Sequence, residues 1–295
     1  MTQDLKINFL VTGACNATKL RPVAGSPGVC AFCFRQDGAI RTTRASFEEV
    51  LDAIPDGSIL EPVSFTGGEP LISPLIGDMV RAARLRGHRV ALHTNGLLLE
   101  RRWAGLQSHL AYVALPYDGH TRDLADYFRG SGYFDLRANA VDLVARSGVG
   151  LAFHTLVTPR NVEHLSAMAA EISSTTMQYW FLKRFKRVNR ARGADTLEYR
   201  LAEPLFREAV ARIRSDHPDL AILEAGQVAA AVRTLFVGVN GAVSVYLRGD
   251  TSNTNIGRLP RDSWDEVLGR LENLERERAV TALRGDAGHS PPTPE

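Results

Sequence analysis

The chain has 295 residues, 44% of them apolar and 23% charged, which is enough apolar material for a sizeable core in water. Its formal net charge of +2 gives no electrostatic reason to expect a nucleic acid or a membrane surface as partner. No apolar run reaches the ~20 residues a membrane helix needs, and Met1 to Lys6 carry no signal-peptide h-region, which predicts a cytoplasmic protein.

Ile7 to Val11 reads as a first strand, ended by Thr12-Gly13-Ala14. Asn16 to Val29 is loop-like, broken by Pro22, Gly25, Pro27 and Gly28. Ser46 to Ile54 predicts a helix with Ser46 as N-cap and Glu48 and Glu49 in its first turn. Leu60 to Phe65 is a second strand, and Ile76 to Arg86 an amphipathic helix stopped by Gly87. Strands at 89–93, 111–115, 151–157 and 178–185 follow, with helices at 134–147 and 163–173. Strands and helices alternating in this way indicate parallel βαβ units, and such folds place ligands at the strand C-termini. Periodicity alone leaves a partial barrel and an open doubly wound sheet equally possible.

Beyond Gly193 the pattern changes. Helices are expected at Glu203 to Arg214 and Gln227 to Arg233, and a closing helix at Trp264 to Arg276. Between them, two β-rich runs at 235–239 and 242–247 flank Asn240-Gly241, a strong hairpin signal. The polar, proline-rich end is expected to be disordered. The division expected is 1–192, 193–283 and a tail at 284–295.

Cysteine usage is the most informative feature. The three cysteines, Cys15, Cys30 and Cys33, all lie in the first 33 positions. An odd count argues against a closed disulfide framework, and reduced thiols suit the cytoplasm. Three thiolates can hold three irons of a [4Fe-4S] cluster and leave the fourth iron open. Zinc and unrelated buried cysteines are the alternatives. Zinc normally takes four Cys or His ligands, and no His lies between Cys15 and Cys33.

With Thr66-Gly67-Gly68-Glu69-Pro70 after the second strand and Thr94-Asn95-Gly96 after the third, the cysteines resemble those of the radical S-adenosylmethionine (radical SAM) superfamily. The first gap departs from the family's usual three residues: fourteen separate Cys15 from Cys30. A longer loop can still return Cys15 to a cluster, because closure cost grows slowly with length. That loop is either passive or a lid. The resemblance implies a partial (β/α)6 TIM-like barrel of parallel strands with a small C-terminal α+β extension, a [4Fe-4S] cluster and SAM. It implies Cys15, Cys30 and Cys33 as cluster ligands, with aromatic Phe32 just before the last. Thr66, Gly67, Gly68, Glu69 and Pro70 would hold the methionyl amino group, with Thr94 and Asn95 near the ribose and carboxylate. Asp118 would bond the ribose or merely cap a turn. Val157 and Leu182 would line the adenine or belong to the core.

The implied chemistry is reductive cleavage of SAM to a 5′-deoxyadenosyl radical that abstracts hydrogen from the substrate, with flavodoxin or ferredoxin as reductant. The 235–247 hairpin resembles the one that opens auxiliary-cluster extensions, but it has no cysteine. The single-cluster layout is most similar to the MoaA-like and viperin-like groups, which implies a small-molecule or nucleotide substrate. Modification of a ribosomally made peptide is the alternative, and a non-catalytic metal-binding or interaction protein on a degenerate barrel is the other class. Lys183, Arg184, Lys186 and Arg187 would bind an anionic substrate or form a solvated edge. His154, mid-strand, is either a catalytic group facing the lumen or a bonded core histidine.

Overall fold

The computed structural model describes residues 5–35, 42–55, 60–194, 196–224, 233–246 and 253–286. Ten strands form one sheet in the order β10-β9-β8-β1-β2-β3-β4-β5-β6-β7. β1 (Leu5–Thr12), β2 (Leu60–Gly67), β3 (Val90–His93), β4 (Tyr112–Pro116), β5 (Gly150–Val157) and β6 (Met177–Arg184) are the six expected parallel strands. They form the partial barrel. Two unanticipated strands appear: β7 (Ile222–Glu224) extends the sheet parallel to β6, and β10 (Thr254–Arg258) ends its other edge. β8 (Arg233–Gly238) and β9 (Ala242–Val245) form the expected hairpin, and β8 adds to the open side of β1, parallel to it. β8, β9 and β10 therefore continue the barrel sheet from its β1 edge, and β7 from its β6 edge.

The helices are α1 (Arg44–Asp52), α2 (Ile76–Leu85), α3 (Leu99–Arg102), α4 (Arg122–Arg129), α5 (Tyr133–Ala145), α6 (Leu165–Ser173), α7 (Thr196–Tyr199), α8 (Glu203–Asp216) and α9 (Trp264–Asp286). The N-cap of α1 is Thr43 rather than Ser46. Ser46 is instead the N3 member of a capping box with Thr43, and that reciprocal pair satisfies two orphan N–H groups where a lone serine would satisfy one. α4 was not anticipated. The helix expected at Gln227 to Arg233 lies outside the described residues except for Arg233, which begins β8. The closing helix runs through Asp286, past the start of the expected disordered tail, and the remaining tail residues lie outside the described set. Among the described residues no helix is long and apolar enough to cross a membrane.

Strand alternation decides which side chains meet the chemistry, since successive residues point to opposite faces. On β1, Leu5, Ile7, Phe9 and Val11 are buried in the core against the helices, while Lys6, Asn8, Leu10 and Thr12 face the lumen. Phe9 stacks on Phe65 of β2 at 5.3 Å and meets Phe47 of α1 edge-on at 5.4 Å. Such pairs add roughly 0.5–1.5 kcal/mol each beyond burial, and they fix the strand that leads to Cys15. On β5 and β6, Leu151, Phe153, Val157, Trp180 and Leu182 join the same core. Ala152, His154, Tyr179, Phe181 and Lys183 take the other face.

Candidate active site

The turns after β1, β2, β3 and β4 converge at the strand C-termini. Gly67 and Gly68 are there because backbone must touch backbone. Gly67 has φ +130, and a Cβ on it would lie 2.5 Å from the Thr12 carbonyl oxygen. A Cβ on Gly68 would lie 2.0 Å from that of Ala14. In exchange, Gly68 N–H donates to Thr12 O at 2.5 Å and Glu69 N–H to Ala14 O at 2.8 Å. The Gly-Gly-Glu turn thereby clamps the chain immediately before Cys15.

Glu69 is wholly buried and its carboxylate accepts three hydrogen bonds from the protein. Leu71 N–H and the Thr94 hydroxyl reach Oε1 at 3.0 and 2.7 Å, and Asn95 N–H reaches Oε2 at 2.7 Å. A carboxylate offers about four acceptor positions, so one is left on Oε2. Burial raises its pKa to about 7, against the lowering effect of those hydrogen bonds. Asn95 extends the network: its Nδ2 donates to Asn16 Oδ1 at 2.9 Å and approaches Cys15 Sγ at 3.6 Å. The Gly-Gly-Glu and Thr-Asn-Gly turns are thus one unit that positions Cys15. Thr66 is partly buried near the end of β2, and Pro70 opens the short 3-10 turn capped by Glu69.

The other two cysteines are held by α4, the helix that the sequence reading missed. Cys30 has φ +50, and its N–H donates to Phe128 O at 3.0 Å. Cys33 N–H turns back to Cys30 O at 2.9 Å. Arg129, the last residue of α4, approaches Cys30 Sγ with one guanidinium nitrogen at 3.6 Å and lies over the Phe32 ring at 4.9 Å. The Asp118 side chain is fully buried and binds Arg129 at 2.6 Å through Oδ2, while its Oδ1 accepts from Leu156 N–H at 2.8 Å. The long Cys15–Cys30 loop is pinned to the same helix end. Ser131 N–H donates to Arg21 O at 2.8 Å, and Gly130, at φ +101, leaves room for Leu20 and Val29, which any Cβ there would strike.

All three thiols are free. Burial pushes the Cys30 thiol up, Arg129 opposes this, and Cys33 and Cys15 add to it, so the three form one electrostatic neighbourhood. Among the described residues no three His, Cys, Asp or Glu side chains converge as a single metal ion requires. A [4Fe-4S] cluster, which spreads its thiolates over separate irons, fits the donor set.

Several expected contacts are corrected by the alternation of the strands. Val157 and Leu182 are wholly buried in the core beneath the helices, so neither lines the lumen. Asp118 has both carboxylate oxygens engaged by protein, Oδ2 by Arg129 and Oδ1 by Leu156 N–H, and so holds Arg129 in place. The Phe32 ring is 8% exposed and packs on Phe128 and Tyr199. Arg184 points to the helix side, pairing with Glu203 of α8 at 3.2 Å. Lys186 lies over Tyr246 at 4.4 Å, and Arg187 is exposed beyond the strand end. Of the four basic residues, only Lys183 enters the lumen, where its Nζ meets His154 Nδ1 at 2.8 Å. Burial, then Lys183, hold His154 neutral, and burial, then Lys6, do the same for His93.

The comparisons with known proteins agree with this geometry. The family model for the radical SAM superfamily matches residues 20–172. GTP 3′,8-cyclase of Chlorobaculum tepidum is 28% identical over 211 residues, 67% of this chain and 61% of that protein. Mycofactocin maturase of Mycobacterium tuberculosis is 28% identical over 145 residues, 48% of this chain and 37% of that one. The chain thus spans less than two thirds of these relatives. The crystal structure of Streptococcus suis SuiB bound to S-adenosylmethionine superposes with a TM-score of 0.65 at 15% identity, covering 86% of this chain and 63% of SuiB, a likeness of fold.

Proposed function

Because the chain belongs to the radical SAM superfamily, whose enzymes use a [4Fe-4S] cluster and SAM, we propose that it cleaves SAM reductively and acts on a small-molecule or nucleotide substrate. The observation that carries this is the shared anchoring of the three thiols. Cys15 is clamped by the Gly67-Gly68-Glu69 turn and Asn95, and Cys30 and Cys33 by α4. The family match begins at residue 20, so Cys15 rests on the motif resemblance and on this geometry rather than on that match. Cys15, Cys30 and Cys33 are the proposed ligands, leaving one iron open for SAM. Thr66, Gly67, Gly68, Glu69 and Pro70, with Thr94 and Asn95, form the proposed SAM side. The unused acceptor position on Glu69 Oε2 suits the methionyl ammonium, whose charge offsets the cost of burying the carboxylate. When bound, the cluster and SAM supply the 5′-deoxyadenosyl radical that abstracts hydrogen from the substrate. The chain's own residues would hold the cofactors in register, and the buried side chains on the inner face of the sheet would keep water from the reacting atoms.

Free thiols suit a reducing compartment, so a cytoplasmic setting with a flavodoxin or ferredoxin reductant belongs to the same proposal. A peptide substrate is the alternative, supported by the maturase among the relatives. Anaerobic reconstitution tests the core of the reading. Wild type is expected to take up about four irons per chain and to release 5′-deoxyadenosine when reduced with SAM, and Cys15→Ala to do neither. A wild-type protein that binds no iron, or that never yields 5′-deoxyadenosine, refutes it.

A further inference from the structure

The lumen below the thiols is built in layers. At the bottom, Ala91, Ala114 and Ala152 make room for Tyr112 and Tyr179, which pack edge-on at 5.4 Å with their hydroxyls 3.0 Å apart. Above them His93 and His154 meet edge-to-face at 4.7 Å, and Phe181 lies 5.4 Å from His154. Lys183 comes next, its ammonium 5.2 Å from the Phe181 ring and 5.9 Å from that of Phe34, the residue after Cys33. Lys183 therefore bridges the imidazole layer and the cysteine loop.

Polar bookkeeping in this chamber does not close. An ammonium has donors and no acceptor, so Lys183 must donate to His154 Nδ1, and the neutral imidazole then carries its proton on Nε2. That Nε2 is buried without a partner, as are His93 Nε2 and Asn8 Oδ1 on the same face. Lys6 is partly buried on that face too, and its charge acts on His93, His154 and Lys183. Among the described residues neither lysine forms an ion pair with a carboxylate. The nearest opposite charges felt by Lys183 are Asp118, already bound to Arg129, and Cys33. Two lysines and a buried N–H donor around one chamber, with no anion among them, is an arrangement that burial penalises unless something negative completes it.

Resting on the radical SAM reading, we propose that this chamber binds the anionic group of the substrate, a carboxylate or phosphate. Lys183 is its direct ionic partner, the His154 Nε2–H a neutral donor beside it, and Lys6 the second cation. Phe181 and the tyrosine layer take an apolar or planar body. The substrate is thus anionic at one end and enters anion-first, which holds its other end toward the thiols.

The test is calorimetric titration of the reconstituted, SAM-loaded holoenzyme with pyrophosphate and, separately, with succinate, in low-chloride buffer. Wild type is expected to bind at least one, and the tighter of the two identifies the group as phosphate or carboxylate. Losing one charge-assisted contact predicts an affinity drop of about tenfold or more in Lys183→Met, with Lys183→Arg restoring part of it. Lys6→Met is expected to weaken binding in the same direction and serves if Lys183→Met does not fold. Binding of neither anion by wild type, or wild-type affinity in both methionine variants, overturns the proposal. So does a Lys183→Met protein whose loss of SAM affinity equals its loss of anion affinity, because Lys183 would then belong to the SAM site. Anion binding by a wild-type protein that releases no 5′-deoxyadenosine would instead sink the functional reading and leave the anion site standing.

Discussion

Replacing Gly68 with alanine tests the claim that the Gly-Gly-Glu turn exists to position Cys15. The new Cβ would sit 2.0 Å from Ala14 O, 2.6 Å from its carbonyl carbon and 2.7 Å from Gly13 O. Contacts below 3.0 Å are not tolerated, so the strand-end backbone must retreat by at least 3.0 − 2.0 = 1.0 Å. All three obstacles are backbone, and no side chain can swing away to absorb the shift. A retreat of that size breaks the Gly68–Thr12 and Glu69–Ala14 hydrogen bonds, at about 0.5–1.5 kcal/mol each. Residual overpacking adds about 1–3 kcal/mol. The expected cost is about 3 kcal/mol, which for a chain of this length lowers the midpoint of thermal unfolding by about 5 °C. Because the displaced segment is the one that carries Cys15, iron uptake is expected to fall as well. Gly77→Ala is the control: its Cβ meets nothing within 4 Å and the position has no left-handed φ, so stability should hold or rise by about 0.5–1 kcal/mol. The measurements are scanning calorimetry of the apo protein and iron content after anaerobic reconstitution. A Gly68→Ala protein with wild-type unfolding and wild-type iron would refute the reasoning.

Two further outcomes follow from the buried charges. Asp118→Asn keeps an acceptor for Leu156 N–H but strips Arg129 of its ionic partner. Urea unfolding should show a loss of about 3 kcal/mol, since breaking one side of a buried pair leaves an uncompensated charge, and a loss under 1 kcal/mol would contradict this role. Glu69 has a folded pKa of about 7 against an ordinary 4.5, so the folded state binds the extra proton more tightly than the unfolded one. The apo protein should therefore lose stability as pH rises from about 4.5 to 7, on the order of 3 kcal/mol at most, and Glu69→Gln should lack this component of the slope. Parallel stability–pH curves for the two proteins would show the assignment to be wrong.

The six barrel strands and most of the helices were legible because each carries a clean period. Alternation on β1 and β5, and 3.6-residue spacing on α2 and α8, repeat over enough residues to stand out. β7 is only three residues long and β10 contains Asn255 and Gly257, so neither offers a pattern, and both are strands because the sheet edge presents unpaired backbone to them. α4 hid behind polar residues at Arg122, Asp123 and Asp126. Its signal was present in Thr121 as N-cap, Leu124 and Phe128 at i, i+4, and Gly130 as the stop.

The candidate site is legible in the sequence as a set of motifs but not as a geometry. Motif spacing names Cys15, Gly68, Glu69 and Asn95, but it does not show that Glu69 and Asn95 are joined, because that contact spans 26 residues and two turns. Arg129 was invisible for the same reason: its partners, Asp118 and Cys30, are 11 and 99 residues away. The basic run at 183–187 shows where linear reading fails most. Four cations in five positions look like one patch, yet the period of two sends Arg184 to Glu203 on the helix side and Lys183 to His154 in the lumen. Alternation turns Lys183 inward, onto the face where the proposed anionic group of the substrate would sit. A lysine carried on a strand rather than on a loop is also held at a fixed distance from the thiols, since β6 ends beside the cysteine loop and cannot slide without breaking its ladder to β5. The radical chemistry proposed for this chain, which must meet one carbon and no other, would require that rigidity of the residue that holds the substrate.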